Sequence, residues 1–149
     1  MYQRILVPLD GSETALQGLD EAVRLASSSG SKLRLVHVVN KFKKTTGYAS
    51  HGSYVALVPG MKDAGEQLLQ RGRERAELGG VTAETQLLTS LSLSVSEMVA
   101  EEAKAWHADL IVAGTHGRRG VERILWGSDA EEVRRAAPVP VLLVQASRD

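Results

Sequence analysis

The chain alternates short, continuous runs of apolar residues with longer segments in which apolar residues recur every three or four positions. A short continuous run bounded by turn residues is typical of a strand buried on both faces, whereas the second spacing is typical of an amphipathic helix. The alternation therefore predicts an α/β fold, with a parallel sheet covered by helices on both faces and wound by right-handed crossovers. In such folds the ligand lies at the carboxyl ends of the strands, where the strand order reverses.

Five strands are predicted, and they lie at residues 5–7, 32–39, 81–88, 109–113 and 139–144. Helices are predicted at residues 14–26, 61–76, 95–106 and 128–136. The third follows Ser94, which has the spacing of a capping box with Glu97 in the first turn of the helix. Residues 40–60 have no steady period, so we expect a long loop there with some helix or strand of its own.

Composition narrows the classes of function. The 149 residues and 16.0 kDa suit one domain across residues 1–149. Lys and Arg number 18, as do Asp and Glu, so there is no net positive field to hold nucleic acid or an anionic membrane. There is no cysteine for disulfides or thiolate metal sites. No signal peptide or membrane span is expected, and the cytoplasm is the expected compartment.

A glycine motif follows the fourth predicted strand. Gly114 and Gly117 come directly after the strand, and Gly127 and Ser128 stand at the start of the last predicted helix. Glycine lets the backbone approach a bulky anion, and a helix N-terminus adds unpaired N–H groups and a partial positive charge. The motif lacks the lysine of a Walker loop and is not the complete Gly-x-Gly-x-x-Gly of dinucleotide sites, but it predicts a phosphate site.

Four sequence segments resemble the universal stress protein family, specifically its ATP-binding branch. They are ILVPLDGS at 5–12, HV at 37–38, ADLIVAGTHG at 108–117 and PVPVLLV at 138–144, so the resemblance covers essentially the whole length. It implies an open five-stranded parallel sheet in the order 3-2-1-4-5, with helices on both faces, like that of the adenine nucleotide alpha hydrolases.

The resemblance also implies an ATP site. Pro8 and Val38 would lie against the adenine, and Asp10 would reach the ribose. The phosphates would be held by the glycine loop and the start of the last helix, that is by Gly114, Thr115, His116, Gly117, Arg118, Arg119, Gly120, Gly127, Ser128, Asp129 and Ala130. Mg²⁺ would be bound mainly through the phosphates, with help from Asp10 or Asp129.

Asp129 departs from the family pattern, because an uncharged residue is common at this position. Together with Glu131 and Glu132 it places negative charge near the predicted helix N-terminus. This charge would repel a bare triphosphate but could help to hold Mg²⁺.

Each candidate residue has a simpler structural interpretation. The glycine loop could be a turn with positive φ in which Ser128 and Glu131 cap the helix. Asp10 could cap or turn the chain without touching a ligand. His37 is expected to be a core histidine with a satisfied hydrogen bond rather than a catalyst, and the four histidines lack the spacing of metal ligands.

The expected function is that of a nucleotide-dependent regulator of a stress response with an unidentified protein partner downstream. No residues pair convincingly as nucleophile and base, so at most slow ATP hydrolysis is expected. The alternatives are a slow ATPase or adenylate-transferring enzyme, and a dimeric stress protein that does not bind ATP. The apolar strand residues Val141, Leu142, Leu143 and Val144 predict a homodimer formed through the sheet edge.

Overall fold

The computed structural model describes residues 2–40, 51–90, 93–115, 133 and 135–145. The strands are β1 (Arg4–Pro8), β2 (Lys32–Asn40), β3 (Ala83–Ser90), β4 (Leu110–Thr115) and β5 (Val141–Gln145). The helices are α1 (Glu13–Ser29), α2 (His51–Leu78) and α3 (Val95–Trp106). Residues 133, 135 and 136 are also helical and belong to the predicted helix 128–136, whose other members lie outside the described residues.

The strands form one five-stranded sheet in the order β3-β2-β1-β4-β5, and every neighbouring pair is parallel. This confirms the predicted order. The chain runs outward from β1 through β2 to β3 and then returns to the other side of β1, so the order reverses between β1 and β4. A ligand crevice is therefore expected at the carboxyl ends of these two strands.

Two apolar cores cover the two faces of the sheet. On one face Ile5, Val7 and Leu9 pack with Leu19 of α1 and Leu69 of α2. The second core, around α3, includes Leu6, Val36, Val38, Val99, Trp106 and Ile111. Ile5, Leu6 and Val7 are all 0% exposed, as expected for a central strand that helices cover on both sides.

Side-chain caps set the ends of two helices. Ser12 begins α1, and its hydroxyl accepts a hydrogen bond from the Ala15 N–H at 3.2 Å. The predicted capping box of α3 is confirmed, because Ser94 Oγ accepts from the Glu97 N–H and Glu97 Oε1 accepts from the Ser94 N–H. The α1 helix ends at Gly30, whose φ of 74° is readily adopted by glycine.

Charged side chains near the amino-terminal end of the sheet are paired with one another. Arg34 of β2 donates hydrogen bonds to Glu84 and Glu102, and its guanidinium lies 4.9 Å from the centre of the Trp106 ring. Partial burial lowers the pKa of Arg34, but these hydrogen bonds outweigh burial and raise that pKa above its usual value. Arg4 also lies over Trp106, at 5.4 Å. This network ties α3 to the sheet at the end opposite the expected ligand edge.

Helix α2 begins earlier than the sequence predicted. The helix begins at His51, so residues 51–60 are the helical part of the predicted loop segment, and residues 41–50 lie outside the described residues. Pro59 and Gly60, which normally interrupt helices, obscured these first turns. The bounds of β3 and β5 are also shifted by one or two residues toward the C-terminus of the chain. Within the described ranges, no helix is long and apolar enough to cross a membrane.

Candidate functional site

The turn after β1 places a carboxylate at the carboxyl edge of the sheet. Leu9 N–H donates to the Val36 oxygen at 2.7 Å, which extends the pairing with β2 by one residue. Asp10 follows directly, and its Oδ1 atom accepts hydrogen bonds from the Ser12 N–H at 2.9 Å and from Ser12 Oγ at 2.6 Å. Gly11, between them, has a φ of 89°, which an L side chain rarely adopts.

The second carboxylate oxygen of Asp10 has no hydrogen-bond partner in the described part of the chain. This oxygen, Oδ2, is a buried side-chain atom. A buried acceptor left without a donor costs about 1–3 kcal/mol. Oδ1 thus shapes the turn that starts α1, as the structural interpretation of Asp10 predicts, whereas a contact between Asp10 and a ligand stays a prediction.

His37 has a structural hydrogen bond, as expected. Its Nδ1 lies 2.8 Å from the Leu9 oxygen, and the residue is only partly exposed. A Cβ at Gly65 of α2 would lie 2.8 Å from the His37 ring, so the helix packs directly against it. This arrangement fixes the imidazole beside the β1 turn.

Pro8 and Val38 lie on neighbouring strands at the same edge. Pro8 is paired in register with Val36, two residues before Val38. Both are buried, and Val38, which is 9% exposed, belongs to the core on the α3 face. The structure thus brings two apolar residues and one carboxylate to adjacent strand ends.

Gly114, at the end of β4, has a packing requirement that the sequence analysis missed. A Cβ built on Gly114 would lie 2.0 Å from the Thr14 oxygen, in the first turn of α1. A Cβ on Gly18 would in turn lie 3.0 Å from the Gly114 nitrogen. Positive φ is not the reason, because the glycines with positive φ in the described part of the chain are Gly11, Gly30 and Gly80. Glycine is needed here because α1 approaches the strand closely.

Thr115 ends β4 and is partly buried, in register with Gln145 of β5. The rest of the predicted phosphate loop lies outside the described residues, namely His116, Gly117, Arg118, Arg119, Gly120, Gly127, Ser128, Asp129 and Ala130. Their roles remain predictions. Across the described ranges no group of three or more His, Asp or Glu side chains could hold a metal ion.

The fold and this edge define an open α/β protein whose ligand site is expected at the strand ends where the order reverses. The chain belongs to the universal stress protein family, because the model of the Universal stress protein family matches residues 1–145. This confirms the resemblance to the family, whereas the ATP-binding branch stays a prediction.

Individual relatives agree with this assignment. The chain is 34% identical to universal stress protein MJ0531 of Methanocaldococcus jannaschii over 145 residues, which cover 97% of this chain and 83% of the relative. A crystal structure of a family member from Burkholderia pseudomallei is 34% identical, with a TM-score of 0.77 and 97% coverage of each chain. A crystal structure of a universal stress protein in complex with cAMP is 25% identical, with a TM-score of 0.71, covering 98% of this chain and 99% of that one.

Proposed function

We propose that this protein binds ATP at the carboxyl edge of the sheet and acts as a nucleotide-dependent regulator of a stress response. The observation that carries the proposal is the buried Oδ2 atom of Asp10, which lacks a partner among the described residues. A ribose hydroxyl is a donor of the right kind for a carboxylate oxygen, and Oδ1 is already occupied by Ser12. The pairing would remove the cost of the unsatisfied acceptor.

The base and the phosphates have candidate partners at the same edge. Pro8 and Val38 would supply the apolar contact for adenine, because both are apolar and lie at adjacent strand ends. The phosphates would be held beyond Thr115 by the glycine loop, and Mg²⁺ would be bound mainly by the phosphates. The cAMP complex of a relative supports an adenine nucleotide as the class of ligand.

We expect ATP to bind with millimolar or tighter affinity, and we expect Asp10→Asn to weaken that binding by about tenfold. Asparagine keeps an acceptor for Ser12 but replaces the charged acceptor Oδ2 with a neutral amide donor, so the charge-assisted hydrogen bond that Oδ2 would accept from the ribose hydroxyl is lost. Isothermal calorimetry with ATP and Mg²⁺ measures both affinities. The same substitution should leave the binding of 2′,3′-dideoxy-ATP almost unchanged, because that nucleotide has no ribose hydroxyls to donate.

Asp63→Asn is the matched control, because Asp63 is exposed on α2 and undergoes the same chemical change away from this edge. It should retain the wild-type affinity. No heat at millimolar ATP would contradict the proposal and favour the alternative of a dimeric stress protein without nucleotide. If Asp10→Asn lowers the affinities for ATP and for the dideoxy analogue equally, Asp10 does not contact the ribose hydroxyls.

The bound nucleotide is expected to act as a signal, with turnover below about one per minute, against 1 to 10³ per second for typical enzymes. The expectation rests on the sequence, in which no residues pair convincingly as nucleophile and base. Multiple-turnover release of phosphate tests this expectation. Sustained release that is lost in Asp10→Asn would instead support the slow ATPase.

We also propose that two copies assemble through β5. In the described part of the chain this strand has β4 as its neighbour on one side only, and Leu142 is 38% exposed. An apolar edge strand with unpaired main-chain groups is a ready template for a second copy of itself.

A further inference from the structure

A pocket of about 180 Å³ lies between α1 and α2, beside the turn that follows β1. Its apolar wall is formed by Leu9, Ala15, Leu16 and Leu68, of which Leu9 and Ala15 are buried. An apolar cavity of about 150 Å³ is large enough to bind benzene, and such a cavity offers water few hydrogen bonds. The pocket therefore suits a hydrocarbon group the size of one ring.

The lining is completed by Gly11 of the turn and by Arg71 and Arg75, which lie one helical turn apart on α2. Arg75 is already paired, because it donates hydrogen bonds of 2.8 and 2.9 Å to the two carboxylate oxygens of Asp20. The hydrogen bond to Asp20 raises the pKa of Arg75 above its usual value, and the nearby charge of Glu13 acts in the same direction.

Arg71 differs from Arg75 in its ion pairing. Among the residues that the structure describes, no carboxylate forms an ion pair with Arg71, and no acidic side chain lines the pocket. Asp20 and Glu13 lie outside the lining. The pocket thus combines an apolar interior with one guanidinium available to an anion, a composition expected of a site for an amphipathic ligand.

We propose that this pocket binds a small apolar carboxylate, with a single ring or a short branched chain, whose carboxylate accepts hydrogen bonds from Arg71. A guanidinium can donate two parallel hydrogen bonds to a carboxylate, which fixes the orientation of the ligand. The hydrocarbon part would contact Leu68 and Ala15. This ligand differs from the nucleotide proposed above. The pocket lies on the face of α1 and α2, whereas Val38 belongs to the core on the opposite face. Leu9 and Gly11, on either side of Asp10, line the pocket, so the two sites adjoin at the turn after β1.

The test uses benzoate as the probe and benzyl alcohol as its uncharged counterpart, both titrated at neutral pH and followed by methyl NMR. We expect benzoate to shift the Ala15 and Leu68 methyl signals and to bind about fivefold or more tightly than benzyl alcohol. Arg71→Gln should reduce the affinity for benzoate to that for benzyl alcohol, and leave the latter unchanged. Leu68→Trp, which fills the pocket, should abolish the binding of both.

Arg73→Gln is the matched control, since Arg73 is exposed on the same helix, lies 3.5 Å from Glu77 and does not line the pocket. It should retain the wild-type preference for benzoate. Benzoate binding that persists in Leu68→Trp, or that falls equally in Arg71→Gln and Arg73→Gln, would overturn the proposal. If thermal unfolding shows that Leu68→Trp does not fold, the benzoate affinities of Arg71→Gln and Arg73→Gln still test the proposal, because both substitutions are at exposed residues. None of these measurements depends on ATP binding.

Discussion

Gly114→Ala is expected to lower the free energy of unfolding by about 3 kcal/mol or more, even in the absence of any nucleotide. The added Cβ would lie 2.0 Å from the Thr14 oxygen, 2.5 Å from the Thr14 carbonyl carbon and 2.9 Å from the Ala15 nitrogen. All three are backbone atoms in the first turn of α1, so no rotamer change can relieve the contact. Either α1 or β4 must move, and both belong to the buried core of this face.

Gly60→Ala is the matched control for Gly114→Ala. Gly60 lies in α2, a Cβ there would meet nothing within 4 Å, and its φ is not positive. Alanine is favoured over glycine inside a helix, so this variant should be unchanged or more stable by up to about 1 kcal/mol. Urea unfolding followed by tryptophan fluorescence measures both variants. Equal stabilities for the two would show that α1 does not approach β4 as closely as described.

The expected effect of Gly114→Ala also bears on how glycine motifs are interpreted. The sequence predicts that Gly114 belongs to a phosphate loop, because the glycine motif follows a buried strand and ends at the helix start of Gly127 and Ser128. In the structure, glycine is required at position 114 even without a ligand, because the Thr14 oxygen lies where a side chain would begin. Loss of nucleotide binding in a Gly114 variant would therefore not locate a phosphate there, which is why the proposed site is tested at Asp10.

The strands and helices are predictable because each buried strand is a short apolar run and each helix has its own period, whereas their order in the sheet was implied by the resemblance to the family. Ile5, Leu6 and Val7 are 0% exposed, as a continuous run in a central parallel strand requires. The capping box of Ser94 and Glu97 was also readable, because it depends on residues three positions apart. Apolar runs, helical periods and capping boxes involve residues close together in the chain, so they can be recognised from the sequence alone.

Relations between distant segments were not predictable in the same way. The contact between Gly114 and Thr14 joins residues a hundred positions apart, and nothing in the local pattern of either indicates it. The same holds for the pocket lined by Leu9 and Leu68. The start of α2 at His51 was missed for another reason: Pro59 and Gly60 disfavour a helix locally, and tertiary packing can override that preference.

Asp10 was predictable in part, because its place in the sequence is a local signal and its hydrogen bonding is not. Its position after a buried strand and before Ser12 was visible in the sequence, and so were both of its interpretations. That Oδ1 forms the turn while Oδ2 stays buried without a partner in the described residues depends on the orientation of one side chain. The sequence identifies Asp10 as a candidate residue, but it does not determine the side-chain orientation that gives the two oxygens different surroundings.

The second large effect is expected on assembly: light scattering of the wild type at micromolar concentration should give twice the 16.0-kDa chain mass. The register of β5 shows which main-chain groups would form the contact. The Ile111 N–H donates to the Pro140 oxygen at 3.0 Å, and Ile111 is in register with Val141. Main-chain groups alternate between the two sides of a parallel strand, so those of Leu142 face β4 and those of Leu143 face away from the sheet.

Leu143→Pro should therefore yield a folded monomer, because it removes an N–H that points toward the second copy and leaves the hydrogen bonds to β4 intact. Leu142→Pro should instead damage the sheet itself, because its N–H points toward β4. Leu78→Lys is a surface control at a leucine that is 90% exposed at the end of α2, and it should remain dimeric. A wild type with the mass of one chain would refute the dimer. A Leu143→Pro variant that stays dimeric and folded by circular dichroism would place the interface away from β5.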